Sequence, residues 1–150
     1  MPNICEGSTK FKHYASYVLL CACCFVLSFC GESPKFKQYY VHGEQLYKKY
    51  CMNCHQSDGS GLGRVYPPLN TSDHMKNNFE DVICLIRYGK RGELIVNGAQ
   101  YNQAMPAIPA LTDLEIAEIA TYIYNTWQHE RGIVEVKEAA KILETCAEAR

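Results

Sequence analysis

Cys51-Met52-Asn53-Cys54-His55 decides how this chain folds. Two cysteines stand two residues apart and a histidine follows at once. This is the spacing of a c-type haem attachment site. Each thiol can add across one haem vinyl group, and the next residue brings an imidazole to the iron. In a helical turn, positions i, i+3 and i+4 share one face, so Cys51, Cys54 and His55 point at one flat object. A thioredoxin-like redox pair does not need the histidine. A zinc site needs a second ligand pair, and the downstream cysteines, Cys84 and Cys146, lie far apart without CxxC spacing. One CxxCH is present, so the chain is expected to carry one covalent haem c.

Working outward from the motif, Val41 to Tyr50 reads as a helix. Gly43, Tyr47 and Cys51 follow at i, i+4 and i+8, with a small residue that lets a second helix approach. After the histidine, Gln56-Ser57-Asp58-Gly59-Ser60-Gly61-Leu62-Gly63 requires loop geometry. Pro67-Pro68-Leu69 is extended and lacks two N–H donors. A carbonyl there can accept the second ring N–H of His55, as partners of metal-bound histidines do, and Leu69 would cover a haem face.

Asn78 to Tyr88 has Phe79, Val82, Ile83 and Ile86 at helical spacing, with Gly89 as the stop. Cys84 lies off that stripe and reads as a small filler; a Cys84–Cys146 bridge is the competing reading. Leu94 to Val96 followed by Asn97-Gly98 reads as a short extended piece and a tight turn. Met105-Pro106 then supplies the candidate sixth ligand, since a thioether is a soft donor that raises the potential of a His-ligated haem. Met1 is the start, Met52 is inside the motif, and Met75 is close to His55 in a polar stretch. His74 is the alternative axial ligand and His42 a more remote one. Thr112-Asp113-Leu114-Glu115 is a capping box. It opens a helix predicted to run to about Trp127, with Ile116, Ile119, Ala120, Ile123 and Trp127 on one stripe. Ile119 and Tyr122 are expected to meet Gly43 and Tyr47. Beyond Gly132, Val134 to Ala149 reads as an amphipathic helix packed on the outside. Such short helices bury little between them, so the haem is expected to supply much of the core, and the haem-free chain to fold poorly.

Before this domain, Lys10, Lys12 and His13 precede an apolar run from Tyr14 to Phe29, the pattern of an export signal. At ~1.5 Å per residue the run reaches about 24 Å, short of a ~30 Å hydrocarbon core. Leu27-Ser28-Phe29-Cys30 resembles a lipobox, which would place a lipid on Cys30. Leu20-Cys21-Ala22-Cys23 fits the pattern more closely but would leave an apolar stub. A simple cleaved signal and an uncleaved anchor are the other options. Residues 1–30 are thus read as the signal, 31–40 as a polar tether, and 41–150 as the haem domain with an extra C-terminal helix. Every option places the domain outside the cytoplasm.

The residues Gly43-x3-Tyr47-x3-Cys51-x2-Cys54-His55, Pro67-Pro68-Leu69, Met105-Pro106, and Leu111-Thr112-Asp113 with Ile119-Ala120-Thr121-Tyr122-Ile123 resemble class I cytochrome c over about Val41 to Trp127. Val96-Asn97-Gly98-x2-Tyr101-x3-Met105-Pro106 is similar to small bacterial domains found with membrane oxidases, nitrite reductases and quinoprotein dehydrogenases. The resemblance implies an all-α fold of three to five helices around the haem, with His55 and Met105 as axial ligands and one-electron transfer. It also implies that the Pro67 carbonyl holds His55, that Leu69 lines the haem, and that Tyr101 or Asn102 bonds a propionate or the ligand sulfur. Expected partners are a respiratory donor and acceptor, such as a terminal oxidase or reductase, met from a periplasmic, membrane-tethered position.

The formal net charge of −1 gives no basic surplus for nucleic acid. Charge is instead segregated, +4 from Lys35 to Arg91 and −5 from Gly92 to Arg150, which could steer a partner. Two competing functions are a subunit held in a larger oxidase, reductase or dehydrogenase complex, and a small haem peroxidase or ligand sensor. The last requires Met105 off the iron.

Overall fold

A computed structural model describes residues 33–148. The signal, the lipobox and Cys30 lie outside the described residues. The residues from Pro34 onward form one unit. In it, α1 (Pro34–Tyr50), α2 (Met52–His55), α3 (Asp73–Asn77) and α4 (Phe79–Tyr88) precede a two-stranded hairpin. The strands β1 (Leu94–Val96) and β2 (Ala99–Tyr101) are followed by α5 (Asp113–Ile123) and α6 (Val136–Glu148). Among the described residues, six helical segments stand where three to five were expected, because α2 and α3 are single turns that spacing alone does not resolve. Among the described residues, no helix is long and apolar enough to cross a membrane.

The first helix begins seven residues before the predicted start, so 34–40 is not a tether. Pro34 suits a helix start, where its missing N–H costs nothing. Tyr39 extends the buried stripe of Gly43 and Tyr47 one turn back. Lys35 Nζ also pairs with Glu135 Oε2 at 2.6 Å.

The central contact is the crossing of α1 and α5. A methyl group on Gly43 would overlap the Glu118 carbonyl and press on Tyr122 Cβ, so only glycine lets the backbones come this close. Tyr47 meets Tyr122 as expected, with ring centroids 5.4 Å apart. Glu118, rather than Ile119, abuts Gly43. Its buried carboxylate lies 3.1 Å from His42 Nδ1, which occupies the remote ligand candidate on the outer side of this crossing.

The capping box forms in both directions: Glu115 N donates to Thr112 Oγ1 and Thr112 N to Glu115 Oε2. Helix α5 ends at Ile123, four residues short of prediction. Asn125 turns the chain there: its Nδ2 donates to the Thr121 and Gly132 carbonyls, and its Oδ1 accepts from Gly132 N. Trp127 leaves the helix at φ +60°, yet rejoins the stripe from outside, 5.6 Å from Tyr47 and 6.0 Å from Tyr122.

Two readings of the C-terminal half are overturned. Helix α6 is part of the core, not an outer layer, since its Ala139, Leu143 and Cys146 are buried, as is Val134 just before it. Cys84 is no filler: it is bonded to Cys146, joining α4 to α6 with Cα atoms 5.9 Å apart. The reason is geometric. Cys84 lies off the inward stripe of α4 because it faces α6. The hairpin forms as read, Leu94 opposite Tyr101, with Asn97 at φ +51° and Gly98 at φ +71° in the turn.

Candidate functional site

Helix α2 delivers the motif. Cys54 N and His55 N both donate to the Cys51 carbonyl, at 3.1 and 3.0 Å. That single turn brings the three side chains to one side, as the spacing demanded. Among the described residues, the free cysteines are Cys51 and Cys54. The other two are spent in the disulfide. The thiols that vinyl chemistry needs are thus the thiols left available.

His55 Nδ1 lies 3.1 Å from the Pro67 carbonyl oxygen. A carbonyl only accepts, so the proton sits on Nδ1 and Nε2 keeps its lone pair. Burial lowers the His55 pKa, against the opposing pull of the Pro67 carbonyl. The imidazole is therefore held neutral, the state that binds a metal. Burial, with a smaller contribution from Cys54, pushes the Cys51 thiol up to about 12. The folded chain thus holds it as a thiol.

The loop behind His55 is stitched to the ring's surroundings. Tyr47 Oη donates to the Gln56 carbonyl at 2.6 Å. Leu69 N and Asn70 N donate to the Gly59 carbonyl. His129 Nε2 lies 2.8 Å from the Leu69 carbonyl, a link that sequence reading did not find. A side chain on Gly61 would overlap the Tyr66 and Pro67 carbonyls, so this glycine admits the strand that reaches His55.

Two cavities lie side by side here. They share Cys51, His55, Pro67, Leu85, Leu94 and Met105 as walls, so together they form one slot reached by both His55 and Met105. Cys54, Tyr66 and Tyr101 line the first part. Leu69, Met75, Ile119 and Ile123 close the second, which is almost wholly apolar. All seven residues predicted for the haem site therefore line one slot. Asn102, the alternative to Tyr101, is exposed and does not line it. His74 reaches the slot wall, but its Nε2 is 3.0 Å from Asp81 Oδ2 and its Nδ1 is 3.3 Å from Asn78 Nδ2. Both ring nitrogens are thus engaged elsewhere.

Met105 is placed by long-range contacts. Its N and O exchange hydrogen bonds with Lys90, both at 2.9 Å, and Ile108 N donates to the Arg87 carbonyl at 3.2 Å. Gly89, at φ +70°, lies so close that a side chain would overlap the Met105 carbonyl. The sequence offered Gly89 only as a helix stop. Its second task is to let the Met105 strand lie across the end of α4.

An apolar slot with two free thiols at one wall, a neutral imidazole beside them and a thioether in reach fits one tetrapyrrole joined to the chain by thioether bonds. This defines the class: a small helical domain built around haem c. Residues 40–123 match the family described as Cytochrome C oxidase, cbb3-type, subunit III, and the chain belongs to that family of class I, single-haem cytochrome c domains. It is an electron-transfer protein whose cofactor is covalently bound haem c. The chain is 32% identical over 91 residues to cytochrome c-552 of Thermus thermophilus, covering 57% of this chain and 67% of that protein. It is 29% identical over 111 residues to the cytochrome c subunit of an alcohol dehydrogenase (quinone) from Gluconacetobacter polyoxogenes. That match covers 71% of this chain and 23% of the subunit; the corresponding Gluconobacter oxydans subunit is 28% identical over 109 residues. The chain thus spans about two thirds of the first relative and under a quarter of the others.

Proposed function

We propose that the chain is an exported one-electron carrier, held at the outer face of a membrane, that passes electrons between a respiratory donor and acceptor. The observation that carries this is that His55 and Met105, fifty residues apart in sequence, line the same slot. In this reading Cys51 and Cys54 would form the thioether bonds, and His55 Nε2 and Met105 Sδ would hold the iron. Haem c, when bound, supplies the one-electron Fe(III)/Fe(II) couple. The protein's part is to hold it still. The Pro67 carbonyl fixes the plane of His55 and strengthens its donation. Leu69 and the apolar wall would exclude water, and Tyr101 would offer a hydroxyl to a propionate or to the ligand sulfur. If both His55 and Met105 hold the iron, no open position would be left for a substrate, which separates this reading from a peroxidase or ligand sensor.

The membrane position rests on the apolar run from Tyr14 to Phe29 and on Cys30 as the lipidated residue, with the periplasm as the compartment. Intact mass of the protein from the membrane fraction reports both features at once: one haem increment and one acyl increment are expected. A mass without the haem increment overturns the central assignment, and haem without acyl leaves a simple signal or an anchor. Carbon monoxide binding to the folded, reduced protein would overturn Met105 as ligand.

A second reading has support from the match to dehydrogenase cytochrome subunits: this domain as one part of an oxidoreductase complex. Copurification at fixed stoichiometry favours the complex. A monomer that reduces an oxidase with strong salt dependence favours the free carrier.

A further inference from the structure

The two faces of α4 have different neighbours. Val82, Leu85 and Ile86 line the slot. Cys84 and Tyr88, one turn apart, lie on the opposite side. Cys84 is bonded to Cys146 of α6, and Tyr88 Oη donates to the Leu143 carbonyl at 3.3 Å. Helix α4 is therefore a plank between the slot and α6. Met105 hangs from its end through the paired Lys90 hydrogen bonds and the Arg87–Ile108 bond. Arg87 also pairs with Asp113 at the start of α5. An outward shift of α4 would carry the Met105 strand with it. The disulfide closes a covalent ring of the chain, 62 residues apart at its ends, and Met105 lies inside that ring.

We propose that the Cys84–Cys146 disulfide is a positioning element for Met105: by holding α4 against α6, it sets how readily the methionine sulfur leaves the iron. The inference rests on Met105 being the sixth ligand. Its consequence is that a covalent bond on the far side of α4 governs both the access of outside ligands to the iron and the midpoint potential.

The test uses the folded holoprotein, with imidazole as the probe ligand in the ferric state. In one arm the bridge is removed by C84S/C146S. In the other, the wild-type bridge is opened after folding with dithiothreitol: one S–S bond breaks, two protein thiols form, and the reagent closes to its cyclic disulfide. The new thiols are capped with iodoacetamide and the haem is reoxidised with ferricyanide. Loss of the bridge is expected to raise imidazole affinity about ten-fold, the size of an ordinary coupling between two sites, and to lower the midpoint potential while helicity stays unchanged. An affinity shift of less than about two-fold, with only the melting temperature lowered, overturns the proposal and leaves a plain staple. M105A separates the two assumptions. If M105A binds imidazole no more tightly than wild type, the ligand assignment itself falls, and this inference with it. If M105A binds it tightly while opening the bridge changes nothing, only the positioning role falls.

Discussion

The two sides of the haem slot are built by different means. On the His55 side, five consecutive residues do most of the work. One helical turn aligns Cys51, Cys54 and His55, and one carbonyl twelve residues on fixes the ring. On the Met105 side nothing is local. The methionine depends on Lys90 for its backbone partners, on Gly89 for clearance, and on α4 and α6 for a foundation. The first side is encoded as a motif, and the second as a set of contacts between distant segments. The first should therefore fail all at once, and the second by degrees.

The largest effect is expected from C51A/C54A. Intact mass should show no covalent haem, and circular dichroism should show lost helicity and no cooperative melt, because an unfilled apolar slot separates the walls of the core. A cooperative, fully helical chain without haem would show that α1, α5 and α6 hold the fold unaided. Next comes the bridge. Closing a ring of this length is worth about 4 kcal/mol in the chain-entropy account, so C84S/C146S should lower the unfolding free energy of the holoprotein by up to that amount in urea titration. A holoprotein midpoint unchanged by C84S/C146S would show that the bridge adds nothing to the stability of the fold. G89A should cost about 2 kcal/mol from its left-handed backbone conformation and the overlap with the Met105 carbonyl. It should perturb the ferric spectrum more than G43A, which burdens the helix crossing on the other side of the core. Equal spectral effects would erase the distinction between the two sides.

The smallest effect is pH-dependent and belongs to the His55 side. Burial holds the pKa of His55 below its ordinary value of 6.5, so the folded haem-free chain prefers the neutral ring. The unfolded chain takes up the proton first as pH falls. The stabilising contribution is thus fully present above about pH 6.5 and is lost progressively below it. The residual helicity of the haem-free protein should fall across that range, and H55Q should flatten the profile.

What sequence made legible follows the same division. The CxxCH turn, the Asn97-Gly98 hairpin and the Thr112 capping box each depend on side chains within four residues of one another, and all three form as read. Helix α3 is local too, capped by Ser72 Oγ accepting from Met75 N, but it is a single turn in a polar stretch with too little periodicity to be seen. The disulfide, the His129–Leu69 link and the second task of Gly89 join residues with no shared pattern. Tyr39 did carry a signal, one turn before Gly43, but the lysines around it made the segment look like linker. Met105 could be picked out because proline follows it and it stands well past the histidine; its supports could not.

The disulfide also sets a sorting problem for the newly made chain. Four thiols in the haem domain allow three complete pairings, and two of them tie Cys51 and Cys54 to Cys84 and Cys146. Even the third is half wrong if it is completed, since it would join Cys51 to Cys54 and leave no thiol for the vinyl groups. The mature protein needs Cys84 and Cys146 oxidised while Cys51 and Cys54 stay reduced until they meet haem. One polypeptide therefore demands opposite redox treatment at two places, and the order in which its cysteines are handled is part of what makes the protein.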